Sequence, residues 1–235
     1  AWAKDTHYSP YGQLPMSMGI QTEGASTEGG PKRVLMWACP RSRSTAFERA
    51  IGRRGDTVVM HELMSEPFLK AKNPENYAKV KEGQAGVNVD ASGCSYSTML
   101  EVMLADYSYQ QKPVFFSKEL SCYFDFEEGA IPDAWLRQFH HVILFRDPVP
   151  TLESWHRVAL KATAEGGTGY FDPSEAGFAE CVKIHQRVVA AGCDVMVIDA
   201  DRDLMQDPEK TMRSFCSFSG AVWSRVWALV RARVQ

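Results

Sequence analysis

A buried strand that leads directly into a helix is the feature that most constrains this chain, and it occupies residues 33–50 (RVLMWACPRSRSTAFERA). The apolar run at its start predicts a strand inside a sheet, and the hydroxyl-rich segment after Pro40 predicts a helix start. Backbone N–H groups at a helix start have no partner within the helix and point in one direction. The turn between strand and helix is therefore a candidate binding site for phosphate or sulfate.

Short apolar runs rich in Val, Ile, Phe and Met alternate with longer amphipathic stretches from residue 31 onwards. The apolar runs predict strands near 33–39, 57–61, 113–117, 141–146 and 194–199. The amphipathic stretches predict helices at 44–54, 95–109, 132–138, 150–163, 174–191 and 208–219. Because crossover connections join parallel strands, this order predicts an α/β fold with a parallel sheet of about five strands and helices on both faces.

The remaining segments are polar or irregular. Residues 1–30 are rich in Gly, Ser, Thr, Pro and Gln, which predicts an extended N-terminal arm or linker before a domain at 31–235. The stretches 70–93 and 165–173 are equally compatible with lids over a site and with ordinary surface loops. The last residues, 222–235, predict a helix that ends in basic side chains. His140 and His141 precede a buried run and are expected to be exposed.

Charge and composition limit the partners. The formal net charge of −3 argues against a general affinity for nucleic acid or an anionic membrane. No segment approaches the roughly 18 to 20 uninterrupted apolar residues of a membrane span. We therefore expect neither nucleic acid nor a membrane as a partner. The start has neither an initiator Met nor the pattern of a signal peptide, which suggests a processed chain or part of a larger parent chain; a homo-oligomer is also open.

Six cysteines are scattered along the chain without a C-x-x-C pair and without a spacing to His that suggests zinc. Most of them are expected to be small core residues, which is the commoner fate of a free Cys. The sequence thus predicts no metal site, and a reducing, cytoplasmic compartment is the simpler expectation.

The loop differs from the phosphate loop of Mg-nucleotide enzymes, which needs G-x-x-x-x-G-K-[ST]. In the stretch ACPRSRST, Ala38 and Arg43 occupy the glycine positions and Ser44 occupies the Lys position. Backbone amides, hydroxyls and guanidinium groups remain, a set suited to an anion held without a metal. These side chains belong to Arg41, Ser42, Arg43, Ser44 and Thr45. A nucleotide kinase or NTPase is disfavoured.

The segment PRSRST resembles the 5′-phosphosulfate loop of sulfotransferases that use 3′-phosphoadenosine 5′-phosphosulfate (PAPS), most often written P-R-S-G-[ST]-[ST]. The resemblance implies a P-loop-type parallel sheet and direct in-line transfer of a sulfuryl group to a hydroxyl or amine of a small acceptor, leaving 3′,5′-adenosine bisphosphate. It also implies that residues 41–45 hold the phosphosulfate. Arg43 stands where the family usually has Gly.

A second resemblance lies in HVILFRDPVPTLESWHR (141–157), which has an Arg at a strand end, a Pro-initiated helix and a Ser eight residues after the Arg. This is similar to the 3′-phosphate motif of the same family, and it implies that Arg146 and Ser154 hold the 3′-phosphate. The residues themselves also support an anion site at the start of a helix, independently of the family. Pro148 and Pro150 suit a first helical turn. Ser154 would lie about one turn inside the helix, near enough to share an anion with Arg146.

An acceptor must lose a proton as it attacks, so the site needs a base within hydrogen-bond reach. The candidates follow the second strand in VVMHELMSEPFLK (58–70). The chain resembles a subgroup of sulfotransferase-like proteins in which this strand ends in an acidic residue, often in Glu-Pro-Phe. The spacing favours Glu62, the triplet itself contains Glu66, and His61 is the third candidate because imidazole titrates near neutrality.

The third strand ends in PVFFSKEL (113–120), which is similar to the Lys-bearing segment of the family. The resemblance implies that Lys118 stabilises charge on the bridging oxygen as the bond to sulfur breaks. Many cytosolic sulfotransferases place a catalytic His soon afterwards, where this chain has residues 121–123, SCY. No Arg-Lys-Gly loop follows the last strand, and only Arg225, Arg231 or Arg233 are candidate substitutes.

The absence of the catalytic His and of the Arg-Lys-Gly loop keeps other classes of function open. One is a Mg-nucleotide-dependent phosphotransferase on the same fold. The other is a non-catalytic nucleotide-binding domain, which would bind the cofactor without transfer to any acceptor. The pocket for the acceptor is expected in the irregular segments 64–93 and 161–175.

Overall fold

The computed structural model describes residues 32–72, 95–107, 112–127, 130–167, 169 and 171–221. The strands are β1 (Lys32–Ala38), β2 (Thr57–His61), β3 (Val114–Leu120), β4 (His140–Phe145) and β5 (Val195–Asp199). The α-helices are α1 (Ser44–Gly52), α2 (Ser65–Lys72), α3 (Tyr96–Leu104), α4 (Asp133–Leu136), α5 (Pro148–Ala164), α6 (Phe178–Ala190) and α7 (Pro208–Ser219). Short 3-10 turns occupy Ser121–Tyr123 and Pro173–Glu175, and a π-helix occupies Ala200–Leu204.

All five strands are parallel and form one sheet in the order β2-β3-β1-β4-β5. The central strand β1 pairs with β3 on one side and with β4 on the other, so Trp37 lies beside Glu119 and Ile143. The predicted α/β fold with a five-stranded parallel sheet is confirmed. Because every strand points the same way, the turns after β1, β2, β3, β4 and β5 all open at one edge of the sheet.

Helices cover both faces of the sheet, and β1 shows why. Successive side chains of a strand point to opposite faces. Leu35 and Trp37 pack in a core with residues of α3, α4 and α6, whereas Val34, Met36 and Ala38 pack in a second core with residues of α1 and α7. These five side chains are fully buried, and burial of each large one contributes roughly 1.5 to 3 kcal/mol to stability.

Besides the 3-10 turn at Ser121–Tyr123, two elements were not predicted. The first is α2, which is short and contains Pro67 as its third residue. Pro is compatible with the first turn of a helix, where backbone N–H groups have no partner within the helix. The second is the π-helix at Ala200–Leu204, where the carboxylate of Asp199 accepts hydrogen bonds from the N–H groups of Asp201 and Arg202. Most of 70–93, the arm at 1–30 and the helix predicted at 222–235 lie outside the described residues.

The expectation that His140 and His141 are both exposed is wrong for His141. Its side chain is fully buried, because β4 already begins at His140 and the following side chain points into the core. Trp37 Nε1 donates to His141 Nδ1 at 3.3 Å, and His141 Nε2 lies 2.9 Å from the carbonyl oxygen of Leu136. Both ring nitrogens are thus paired in the neutral imidazole, and burial lowers the pKa of His141 to about 4.

The described residues contain no helix that is both long enough and apolar enough to cross a membrane. They also contain no group of three or more His, Cys, Asp or Glu side chains that could hold a metal ion. Cys39, Cys122, Cys181, Cys193 and Cys216 are free thiols.

Candidate functional site

The loop after β1 is held in an unusual backbone conformation. Arg41 and Arg43 both have a left-handed backbone, with φ of 62° and 68°. Between them, Ser42 is fully buried, and its hydroxyl and its N–H both donate to the carbonyl oxygen of Cys39, at 2.7 and 3.3 Å. Ser42 therefore shapes the loop from inside, while the two arginine side chains are exposed on its outer side.

The start of α1 presents free backbone donors. Arg43 precedes the helix and provides no side-chain cap. Its carbonyl oxygen accepts from the N–H groups of Ala46 and Phe47, at 3.0 and 3.1 Å. Within the part of the chain that the structure describes, the N–H groups of Ser44 and Thr45 have no acceptor. Donors of this kind at the start of a helix can bind an anion.

The loop contacts the second predicted anion-binding segment. Arg41 Nε donates to Ser154 Oγ at 3.4 Å. Ser154 lies in α5, the helix that follows β4, and β4 is the neighbour of β1 in the sheet. Two segments more than 100 positions apart in sequence are therefore adjacent at one edge of the sheet.

Arg146 follows β4 and is paired with an acid from the π-helix after β5. Its Nε lies 3.0 Å from each carboxylate oxygen of Asp201, a residue of the π-helix after β5. Arg146 and Ser154 are thus at the same edge, but Arg146 contacts Asp201 and Ser154 contacts Arg41. Asp201 was not among the predicted site residues; the signal for it was the run of acids in residues 199–203, DADRD, at the end of β5.

Glu62, the candidate base, and Lys118, the cation proposed for the leaving group, are in direct contact. Lys118 Nζ donates to the Glu62 carboxylate. Lys118 is 1% exposed, and the second acid near its ammonium is Glu48 of α1, at 3.9 Å. Glu62 has a left-handed backbone with φ of 51°, and its N–H donates to the carbonyl oxygen of Lys118 at 2.8 Å. Backbone and side chain of Glu62 are therefore both attached to the same lysine.

His61 belongs to this cluster as well. Its Nδ1 lies 2.7 Å from Glu48 Oε2, and its Nε2 lies 3.7 Å from Glu62 Oε1. Glu66, by contrast, lies in the first turn of α2. Glu48 was missed because a lone acid in an amphipathic helix reads as a solvated residue. Its position one turn after Ser44 was the available signal that it faces this edge of the sheet.

A pair of cysteines lies beneath the loop. Cys39 Sγ is 3.6 Å from Cys181 Sγ of α6, and both thiols are buried. The hydrogen bond with Cys181 and burial raise the pKa of Cys39. Ser121 supports the same region, since its hydroxyl donates to the carbonyl oxygens of Gly177 at 2.8 Å and Ala38 at 3.3 Å. The end of β1 is therefore anchored to the start of α6.

No protein-family profile matches the chain. Two curated proteins of Arabidopsis thaliana are similar to it. Branched-chain-amino-acid aminotransferase-like protein 1 is 28% identical over 188 residues, which cover 79% of this chain and 30% of that protein. Branched-chain-amino-acid aminotransferase-like protein 2 is 26% identical over 183 residues, 78% of this chain and 29% of that protein. The chain thus spans about 30% of the length of these relatives, so their names describe much longer proteins.

Two solved structures also align with the chain. The sulfotransferase domain of the Synechococcus PCC 7002 olefin synthase aligns with a TM-score of 0.46 and 13% identity, over 88% of this chain and 79% of that domain. The sulfotransferase domain of the curacin biosynthetic pathway aligns with a TM-score of 0.45 and 17% identity, over 83% of this chain and 76% of that domain.

Proposed function

We propose that this chain binds PAPS at the carboxyl edge of its sheet and transfers the sulfuryl group to a hydroxyl or amine of a small molecule. The contact between Arg41 Nε and Ser154 Oγ carries this proposal, because it joins the two segments that resemble the 5′-phosphosulfate loop and the 3′-phosphate motif. A ligand with two phosphate-bearing positions would engage both segments at once. A ligand with phosphates at one position would need only the loop.

The free donors at this edge fit such a ligand. The N–H groups of Ser44 and Thr45 and the exposed side chains of Arg41 and Arg43 would hold the phosphosulfate. Arg146 would hold the 3′-phosphate. Asp201 engages its Nε, and the Nη groups of Arg146 have no acceptor among the described residues. Since a guanidinium has five N–H donors, the Nη donors remain for a phosphate while Asp201 orients the side chain.

PAPS would supply the sulfuryl group, whose bond to the bridging phosphate oxygen breaks as the acceptor oxygen or nitrogen bonds to sulfur, leaving 3′,5′-adenosine bisphosphate. Lys118 would donate to that bridging oxygen and offset the negative charge that it gains. Glu62 would take the proton that the acceptor loses. Glu66 is the second candidate base. His61 is the third, since Glu48 faces its Nδ1 and leaves Nε2 as the nitrogen that would take a proton.

Lys118 and Glu62 would have to separate during this reaction. Lys118 is almost fully buried, and Glu62 covers its ammonium. A bridging oxygen can take the place of the Glu62 carboxylate only if the Glu62 side chain turns away. The same rotation would release that carboxylate to face the acceptor. Binding of the cofactor and preparation of the base would therefore occur together.

A thermal-shift comparison of 3′,5′-adenosine bisphosphate with Mg-ATP tests the proposal. A ligand at 100 times its Kd stabilises the folded state by about 2.7 kcal/mol. We expect the bisphosphate to raise Tm and Mg-ATP to leave it unchanged. Transfer of labelled sulfate from PAPS to a panel of phenols, alcohols and amines is the second measurement.

The outcomes separate the three classes of function. Stabilisation by Mg-ATP and not by the bisphosphate would contradict the proposal and favour a phosphotransferase. Stabilisation by the bisphosphate without transfer to any acceptor would identify a non-catalytic nucleotide-binding domain. The aminotransferase-like relatives add no further candidate, because the chain covers less than a third of their length.

A further inference from the structure

Glu119 of β3 is a fully buried acid that the proposed transfer does not use. It follows Lys118, so its side chain points to the opposite face of the sheet. Its Oε1 accepts from the N–H of Leu63 at 3.0 Å and from the hydroxyl of Ser117 at 2.8 Å, and its Oε2 accepts from the N–H of Met64 at 3.0 Å. Burial of an unpaired charge is costly, and the three hydrogen bonds to the Glu119 carboxylate offset that cost.

The two amides that Glu119 binds come directly after Glu62. Glu62 has a left-handed backbone, which is unfavourable for a residue with a Cβ atom and persists only where the surroundings hold it. Its own N–H is bound by the carbonyl oxygen of Lys118. Three successive N–H groups, those of residues 62–64, are therefore bound by two neighbouring residues of β3.

We infer that Glu119 is a positioning residue for the candidate base: its carboxylate holds the turn after β2 so that the Glu62 side chain faces Lys118 and the edge of the sheet. The role given to Glu62 rests on the proposed function, whereas the hold on the turn does not. Only Asp or Glu offers two acceptor oxygens that can receive two successive N–H groups. Gln has one acceptor, and its NH₂ group would face an N–H donor.

Ionisation of Glu119 sets the conditions for a test. Burial raises its pKa to about 7, while the hydrogen bonds from Met64 and Ser117 act in the opposite direction. Glu62 and Lys118 are the charged groups near it, and they act in opposite directions. At pH 8, above this pKa, Glu119 is mostly in its carboxylate form, so the measurements are made at that pH.

The test compares wild type with Glu119→Gln in three measurements at pH 8. Amide hydrogen exchange of Leu63 and Met64 is expected to become faster, because their acceptors are lost or replaced by a donor. The kcat for sulfuryl transfer is expected to fall by about tenfold or more. The Kd of 3′,5′-adenosine bisphosphate is expected to rise by no more than about twofold, since the turn is not part of either anion-binding segment.

Three further variants keep the result specific. Ser117→Ala keeps both amide acceptors and removes one donor to Glu119, so a smaller change in the same direction is expected. Ile184→Ala makes a cavity in the same core, on helix α6, and should lower Tm while kcat and the two exchange rates stay unchanged. In a Glu62→Gln background, Glu119→Gln should add no further loss of kcat, since both changes act on one group.

Unchanged exchange of Leu63 and Met64 in Glu119→Gln would overturn the inference. Faster exchange of both amides with the kcat of wild type would overturn it as well, because the turn would then be dispensable for the base. Failure of the proposed function would look different. Wild type would neither bind the bisphosphate nor transfer the sulfuryl group, while both amides would still exchange faster in the variant.

Discussion

Lys118 Nζ donates a hydrogen bond to the Glu62 carboxylate, and this contact joins the ends of the neighbouring strands β2 and β3. The two residues differ in exposure, with 1% for the Lys118 side chain and 22% for that of Glu62. Glu48 of α1 is the next acid to the ammonium, at 3.9 Å. The candidate site is therefore built around a buried cation flanked by two carboxylates.

The Lys118–Glu62 pair predicts strongly non-additive effects on stability. Glu62→Gln should lower the free energy of unfolding by about 3 kcal/mol, because it leaves a buried ammonium with only the more distant Glu48. Adding Lys118→Met should recover most of that loss, since the unpaired charge is then removed. Urea unfolding of wild type, both single variants and the double variant measures the coupling. Losses that simply add would show that the two side chains do not interact in solution.

The same acid carries a prediction for catalysis. Glu62→Gln should lower kcat for sulfuryl transfer by about 100-fold or more, the usual contribution of a general base. Its affinity for 3′,5′-adenosine bisphosphate should not fall, because the carboxylate that a phosphate oxygen would displace from Lys118 is removed. Glu66→Gln tests the second candidate base in the same assay, and Glu101→Gln on the exposed side of α3 is the matched control. Turnover at the wild-type rate in Glu62→Gln would exclude Glu62 as the base.

Arg146 predicts a loss of ligand affinity. Arg146→Ala removes the guanidinium proposed for the 3′-phosphate, and hydrogen bonds to charged groups contribute about 1.5 to 3 kcal/mol each. We therefore expect the Kd of 3′,5′-adenosine bisphosphate, measured by calorimetry, to rise by roughly 10- to 100-fold. Arg213→Ala, which removes an exposed arginine paired with Glu209 on α7, is the matched control. Equal affinity of Arg146→Ala and wild type would contradict the assignment.

Replacing Arg43 by glycine is expected to have opposite effects on stability and on ligand binding. A left-handed backbone costs a residue with a Cβ atom about 1 kcal/mol more than it costs glycine, so Arg43→Gly should raise the free energy of unfolding by about that amount. Arg43→Ala removes the same guanidinium without relieving the backbone, and should not stabilise the fold. Both variants should bind PAPS more weakly. Stabilisation of equal size in both variants would show that the side chain, and not the backbone, is unfavourable.

The burial of His141 is expected to make the stability of the fold sensitive to acid. Its pKa is about 4 in the folded chain and near 6.5 when unfolded, so the unfolded state binds more protons between these values. The free energy of unfolding should therefore fall as pH falls from about 6.5 to 4, by up to about 3 kcal/mol from this residue. Protonation would place an Nδ1–H against the indole N–H of Trp37.

The measurement is the difference in free energy of unfolding between wild type and His141→Gln at several pH values. The difference isolates His141 from Glu119, whose raised pKa makes the folded state bind more protons and so acts in the opposite direction between about 4.5 and 7. His140→Gln is the control. Its pKa is lowered too, but the side chain is exposed, so a smaller change is expected. A constant difference across this range would contradict the burial of His141.

Local sequence patterns predicted most of the sheet. The five apolar runs coincide with β1 to β5 to within a few residues. The central strands β3, β1 and β4 are buried on both faces, and such strands need apolar side chains at nearly every position. Local sequence patterns did not predict those elements whose formation depends on a few residues. Pro67 lies in the first turn of α2 and Asp199 caps the π-helix, and neither element was predicted. His141 read as polar, and the register of β4 turned it inwards.

The amino-acid sequence by itself determined the strands of a parallel sheet and the arginine, hydroxyl and acidic side chains that follow them in the loops at one edge. Its apolar periods and its loop residues are local properties, so they can be read in order along the chain. Which side chains meet at that edge was decided only by the tertiary structure. Arg41 with Ser154, Arg146 with Asp201, Lys118 with Glu62 and Glu119 with the N–H groups of 63–64 are such contacts. Each depends on strand order and register, which pair residues far apart in sequence.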